Sequence, residues 1–425
     1  TFARRRPWLT GIALLLGVSF GGVLVSLWII TSRMHFHMNR ACAVAWSLDG
    51  RKLAVVYQSG DIHILTSEPG SEVLSVERVI REANPANSGF SPGCISWSPD
   101  GKSLAYNCQG RSRLLDIDTS SSVLLESTDK WTNSCEWSSD SRRVAMQYNH
   151  KVNIWEREHP HGDPEVLQFY PTLGGDGPNY RMYWSPDDRY LACLGMSFFT
   201  CIFDMRRESK EERAREIQFK ALEPWCMAWS PDSQKLAMID NMQKERIRET
   251  PATPSPRTSG KFYSTATPRP APPAVVCGSI WSLKENASLL RLSGEGIPAA
   301  ASKGKTMRWS RDGRQIAGAF LLEFNNKEKE YENRIYLTWW DAATGKILAS
   351  REISHAMQPF SSPWLRMKTE NESFILPYND CAWSPEGDRF VLISNFGFRR
   401  GTGSARRGAS YNRCSLIRVY LKPQL

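Results

Sequence analysis

Residues 97 to 106 read WSPDGKSLAY. Ser98, Pro99, Asp100 and Gly101 carry turn chemistry: proline presets φ, aspartate bonds nearby backbone N–H groups, and glycine accepts φ > 0. An apolar residue, Ile95, stands two before Trp97, and Leu104-Ala105-Tyr106 open a second apolar run. Taken alone, the stretch is the corner of a β-hairpin.

Seven segments align on such a tryptophan. They are AVAWSLDGRKLAVV at Trp46, CISWSPDGKSLAYN at Trp97, SCEWSSDSRRVAMQ at Trp137, RMYWSPDDRYLACL at Trp184, CMAWSPDSQKLAMI at Trp229, TMRWSRDGRQIAGA at Trp309 and DCAWSPEGDRFVLI at Trp383. Serine follows every tryptophan. An acid stands three after it each time: Asp49, Asp100, Asp140, Asp187, Asp232, Asp312 and Glu386. A large apolar residue comes seven after, and alanine eight after in six copies. The alternation before each tryptophan predicts a strand, and the run after the turn predicts a second.

Further apolar runs follow each copy. Third strands are predicted at 61–65, 112–117, 151–156, 200–205, 278–283, 334–340 and 415–421. Fourth strands are predicted at 72–79, 122–126, 164–170, 215–219, 288–292 and 346–353. Each unit is thus a four-stranded meander that cannot bury both of its faces alone. Set radially, each sheet covers its neighbour, which is the β-propeller arrangement. Here the chain resembles the WD-repeat and TolB-like β-propeller superfamily over residues 34–421. It departs from the WD pattern in lacking the Gly-His pair, and a Trp-Asp pair ends a third strand only at Trp340-Asp341.

The seventh unit lacks a fourth strand of its own. MHFHM (34–38) precedes the first unit and can fill the place, closing the ring as such propellers usually do. In a meander of this kind the WSPDG turns lie on the face where that closing strand begins. Ahead of it, residues 8–30 (WLTGIALLLGVSFGGVLVSLWII) contain no charge. As a helix they would rise about 35 Å, enough to cross a bilayer core. Trp8 and Trp28 sit near the ends, and Arg4, Arg5 and Arg6 precede the run. The expectation is a short basic tail (1–7), a single transmembrane helix (8–31) and then the propeller. The run is too long for a typical secretory signal, and no small-x-small cleavage site stands out. The arginines place the tail on the cytoplasm-like side and the propeller opposite. The acid-free, arginine-rich start is compatible with organelle import, with the mitochondrial inner membrane as the leading membrane.

The turn face would then lie near lipid. It carries Arg51, Lys102, Arg142, Arg189, Lys235, Arg314 and Arg389, a candidate basic ring toward headgroups, whose competing reading is local pairing with the turn acids. Long insertions lie on the opposite face of the last three blades. They are 241–274, which is rich in Pro, Thr and Ser, then 323–333, 354–379 and 394–413.

Composition narrows the function classes. Lys plus Arg outnumber Asp plus Glu, 54 to 44, giving a mildly basic surface. The ten cysteines include no C-x-x-C pair, so zinc-ribbon and thioredoxin-like sites lack their spacing, and mostly free thiols are expected. Gly17-Val18-Ser19-Phe20-Gly21 matches a nucleophile elbow but lies inside the apolar run; Gly17 and Gly21 fit a helix-packing face better. Gly304-Lys305-Thr306 resembles the end of a phosphate loop but leads into a strand and lacks the upstream glycine. Glu156, Glu158, His159, His161 and Asp163 match no zinc spacing and read as an exposed loop. His35 and His37 share one strand face and are similarly weak as ligands. The Arg-rich segment 399–413 resembles an anion-binding tail. Nucleic-acid binding would also want ordered aromatics, and it is not favoured.

The leading reading is therefore a non-catalytic scaffold or accessory subunit of a larger membrane complex, of the mitochondrial respiratory type. Other membrane subunits would meet the helix and the distal loops of the last three blades. No cofactor, metal or catalytic residue is assigned. Seven equivalent turn acids argue for structure, because a catalytic pair needs unequal environments. The second reading is an enzymatic or ligand-binding propeller using its central channel, for which the repeats show no asymmetric polar cluster. The third is a membrane-tethered regulator of a trafficking GTPase. It resembles propellers anchored in the endoplasmic reticulum, which generally carry the anchor after the propeller.

Overall fold

A computed structural model describes residues 35–37, 40–81, 93–108, 110–126, 132, 134–148, 151–168, 181–194, 199–207, 214–218, 224–239, 276–298, 301–322, 334–354, 373–375, 380–399 and 411–423. Seven antiparallel sheets are present, six of them meanders of four consecutive strands. Their inner strands are Ala41–Trp46, Cys94–Trp97, Ser134–Trp137, Arg181–Trp184, Cys226–Trp229, Ala301–Trp309 and Cys381–Trp383. Each inner strand abuts the next, and the seventh returns to the first. The molecule is a closed seven-bladed β-propeller, and the blades are numbered here in that order.

The apolar core is divided into seven wedges, one at each joint between blades. Between blades 2 and 3, for example, Ala105 and Leu114 meet Trp137, Met146 and Trp155. Between blades 7 and 1, Val391, Ile393 and Ile417 meet Trp46, Leu53 and Tyr57. The alanine eight after each tryptophan is buried, at Ala54, Ala105, Ala145, Ala192, Ala237 and Ala317. A larger side chain there would hold the next sheet off.

The ring closes with strand His35–His37. It pairs antiparallel with strand Tyr411–Leu421, with His35 opposite Ile417 and His37 opposite Ser415. Blade 7 therefore joins both ends of the propeller in one sheet.

Two boundaries differ from expectation. The sequence pattern makes 394–413 an insertion, but strand Arg389–Arg399 pairs with Tyr411–Leu421 along its whole length. The segment's many Gly, Arg and Ser residues hide its strand pattern, while the pairing simply continues from the blade below. Within 354–379, strand Ser373–Ile375 pairs with the far end of Arg389–Arg399. Segments 241–274 and 323–333, residues 400–410, and residues 1–34 with Gly17 and Gly21 lie outside the described residues. Among the described residues, no helix is long and apolar enough to cross a membrane.

Candidate functional site

The repeat corners come first, because they occupy most of the predicted positions. In six blades the serine Oγ donates to the repeat aspartate Oδ1 at 2.5–2.6 Å. The same Oδ1 accepts the backbone N–H two residues on, at 2.9–3.1 Å. The serine Oγ accepts the N–H five residues on, as from Lys52, Ser103 and Gln315, at 2.9–3.0 Å. Serine and aspartate thus satisfy the donors that a tight corner leaves over. For Asp49, Asp100, Asp140 and Asp232, burial pulls the carboxyl upward, but the serine and amide donors outweigh it and the carboxyl sits below its ordinary range. For Asp312 the Ser310 bond leads, with the same outcome.

Blade 7 departs from the pattern. Ser384 Oγ donates to Asp388 at 2.6 Å rather than to Glu386. The longer Glu386 instead meets Arg311 of blade 6 at 3.3 Å.

The last residue of the corner sits at positive φ. It is glycine in four blades: Gly50, Gly101, Gly313 and Gly387, at φ 69–71°. Ser141, Asp188 and Ser233 hold it in blades 3, 4 and 5 at φ 56–62°. Each of these three side chains grips the preceding blade. Ser141 accepts from the Asp100 amide, and Ser233 from the Asp187 amide. Asp188 accepts from the Ser139 and Asp140 amides at 2.6 and 3.0 Å.

The candidate basic ring is uneven. Arg51, Lys102, Arg142 and Arg314 are exposed, and Arg189 and Lys235 are half-buried. Arg314 lies 3.9 Å from its own turn acid, Asp312. Arg189 pairs with Asp204 at 3.1 Å instead. Arg389 is a correction: it is buried, not turned toward solvent. Its guanidinium donates to the carbonyls of Gly50, Ser67 and Glu68 and lies over the Trp46 ring, bolting blade 7 to blade 1. Asp388 beside it takes the corner role that faces outward in the other blades.

The tryptophans bridge the blades. Five indole N–H groups donate to the carbonyl of the residue just before the preceding blade's tryptophan. The pairs are Trp46 to Ala382, Trp97 to Ala45, Trp137 to Ser96, Trp229 to Tyr183 and Trp309 to Ala228, at 2.8–3.3 Å. The indole N–H groups of Trp184 and Trp383 are buried without a partner. By the same rule their acceptors would be the carbonyls of Glu136 and Arg308. Both breaks therefore fall at a charged residue where the other blades carry Ala, Ser or Tyr.

Those two charges belong to a group that the repeat alignment hid. Inner-strand positions one and three before each tryptophan share a strand face. Around the ring most are small: Ala45, Ser96, Ala228 and Ala382 at the first position, Ala43, Cys94 and Cys226 at the third. Four are charged: Glu136 in blade 3, Arg181 in blade 4, Arg308 in blade 6 and Asp380 in blade 7. Glu136 interacts electrostatically with Arg308, and Arg181 with Asp380. Each pair spans three steps around a ring of seven. Groups so placed reach one another only across the central channel, so the channel holds an asymmetric charged cluster, contrary to the sequence reading.

The electrostatics are those of a narrow lumen. Arg308 touches solvent but is desolvated by the surrounding protein, which pulls its guanidinium below the usual range against the attraction of Glu136. Burial pushes Glu136 up to about 7, although Arg308 and Arg181 oppose the shift. Burial raises Asp380 as well, against Arg181 and a 2.9 Å bond from the Val44 amide. No ion pair within 4 Å forms among these four side chains. Tyr183 Oη is buried beside them with no acceptor for its proton, and the Met227 amide stands near it as a donor.

The signal was available in the sequence. The third, fourth and sixth copies read SCEW, RMYW and TMRW, and the seventh carries Asp380 just before CAW. Comparing what varies at these positions, rather than what recurs, picks these residues out. Glu156, Glu158, His159, His161 and Asp163 are exposed, and among the described residues no group of His, Cys, Asp and Glu could hold a metal. Eight cysteines among the described residues are thiols rather than disulfide partners. No family model matches the chain, and no curated protein matches it.

Proposed function

We propose that the protein is a non-catalytic, membrane-anchored β-propeller of the WD-repeat or TolB-like kind, acting as a scaffold or accessory subunit of a larger membrane complex. The observation that carries this reading is the pairing of His35–His37 in blade 7. Its direction starts that strand on the face of the WSPDG corners. The uncharged run 8–30 ends a few residues earlier, so an anchor would deliver this face to the bilayer. Exposed Arg51, Lys102, Arg142 and Arg314 there fit an anionic surface. A ring sealed by inner-strand contacts and seven apolar wedges is a rigid platform, which suits a subunit that positions partners. An inner mitochondrial complex fits the basic, acid-free start of the chain.

The test is extraction in mild detergent, followed by native electrophoresis and mass spectrometry. Comigration with a large membrane assembly is expected. Migration as a lone monomer from freshly solubilised membranes rejects the scaffold reading. Flotation of the protein with liposomes, with and without anionic lipid, tests the orientation separately.

A further inference from the structure

Blades 4, 5 and 6 line one side of the channel as a notch. Arg181 and Tyr183 form one wall on strand Arg181–Trp184. Arg308 and Lys305 rise on the other, from strand Ala301–Trp309. Between them blade 5 contributes only Cys226 and Ala228, both buried and small. The opposite wall is lengthened by an irregularity between Gly304 and Thr306, where the ladder shifts register and carries Lys305. A Cβ at Gly304 would meet Ile239 at 2.7 Å and Cys226 Sγ at 3.2 Å, so the strand can lie this close only with glycine there. Arg181 and Arg308 stand two positions apart in the strand register, about 7 Å along the channel.

We propose that this notch is a binding site for a small oxyanion, a phosphate- or carboxylate-bearing ligand held between Arg181 and Arg308 and accepting the Tyr183 hydroxyl. Three observations converge on it. The two guanidiniums face a common lumen yet close no ion pair within 4 Å with Glu136 or Asp380, so their five-donor forks remain unfilled by carboxylate. Tyr183 Oη is a buried donor awaiting an acceptor. Blade 5 places no charged or bulky side chain between the walls, only Cys226 and Ala228. Glu136 and Asp380 flank the notch from blades 3 and 7. They set its limits, because an anion must sit on the arginine side and away from them. The corner residues on the outside of the ring take no part, and the proposal does not depend on the membrane anchor.

Isothermal titration of the full chain in mild detergent, with inorganic phosphate and with succinate as separate probes, tests it. Saturable binding of at least one probe is expected. Binding of phosphate alone identifies a phosphoryl ligand, and binding of succinate alone a carboxylate. Arg308→Gln and Arg181→Gln should each weaken binding tenfold or more. Tyr183→Phe should weaken it several-fold, and Glu136→Gln should tighten it by removing a competing carboxylate. Lys284→Gln, on an exposed turn of blade 5, should change nothing. If the arginine variants do not fold, the opposite signs of Tyr183→Phe and Glu136→Gln still decide. Absence of saturable binding for both probes, or equal affinity across the variants, overturns the proposal.

Discussion

Removing the serine hydroxyl from one corner should cost much more in blade 2 than in blade 6, although the two hydroxyls make the same bonds. Ser98 is fully buried. Its Oγ donates to Asp100 at 2.6 Å and accepts the Ser103 N–H at 2.9 Å. Ser98→Ala therefore strands a buried amide donor, a cost of about 1–3 kcal/mol. It also removes a charge-assisted bond from a carboxylate that water reaches only in part, which adds about 1 kcal/mol. Ser310 is half-buried, and its partner Asp312 is exposed. Water replaces both bonds there, so Ser310→Ala should cost about 1 kcal/mol. The contrast is then roughly 1–3 kcal/mol for one chemical change. Urea unfolding of the detergent-solubilised chain, followed by tryptophan fluorescence, reads it as a difference in midpoint. Equal shifts for the two variants, or a Ser98→Ala cost below about 0.5 kcal/mol, would refute burial as the deciding variable.

Other expectations rest on single contacts. Trp97→Phe loses an indole bond to Ala45 that Trp184→Phe does not have to lose, so Trp97→Phe should be the more destabilising by about 1 kcal/mol in the same assay. Arg389→Met leaves the buried carbonyls of Gly50 and Ser67 without their donor. It should cost about 3 kcal/mol or more, and Arg389→Lys should restore only part, since an ammonium cannot reproduce the fork. The corner carboxylates are held below their ordinary range, so their stabilisation is complete above about pH 4 and is lost as pH falls through their lowered values. Stability measured by denaturant midpoint should therefore drop steeply in acid. Glu136 has the opposite sign. Its folded form holds a proton up to about pH 7, so its ionisation costs stability as pH rises from about 4 to 7. Glu136→Gln should stabilise the protein at pH 8 by about 1–2 kcal/mol and leave it unchanged at pH 4, by the same measurement.

The architecture was legible because the physics of a blade repeats. Trp46, Trp97, Trp137, Trp184, Trp229, Trp309 and Trp383 mark the ends of inner strands as the alternation predicted, and strand Lys151–Glu156 has the limits read from the sequence. The closing strand at His35–His37 followed from counting: a seventh unit short of one strand, and a strand to spare before the first. What escaped was whatever breaks the repeat. Glu386 aligns with six aspartates, but one extra methylene moves it to Arg311 and hands its corner to Asp388. Arg389 stands six after its tryptophan, as Lys52, Arg143 and Lys235 do in their blades, and turns inward, because the joint between blades 7 and 1 leaves carbonyls that only a long donor reaches. Glu136, Arg181, Arg308 and Asp380 are each unremarkable in one blade. They become a cluster only when ring closure brings blade 3 opposite blade 6 and blade 4 opposite blade 7. A linear alignment stacks these residues in two columns, whereas the fold points them at one another.

Closure through blade 7 also imposes an order in time. The His35–His37 strand leaves the ribosome before the other described strands, and its partner Ser415–Ile417 is made roughly 380 residues later. At about 5–20 residues per second the strand waits on the order of 20–80 s. For most of that interval blade 1 has no neighbour on its open side, and Val44 has no Asp380 to bond. The central channel needs blades 3 to 7 together, so it forms only once blade 7 has been made. A nascent chain stalled anywhere before Ser415 therefore presents an open arc with two raw edges. Until blade 7 closes it, that arc leaves apolar surface and unpaired strand edges exposed.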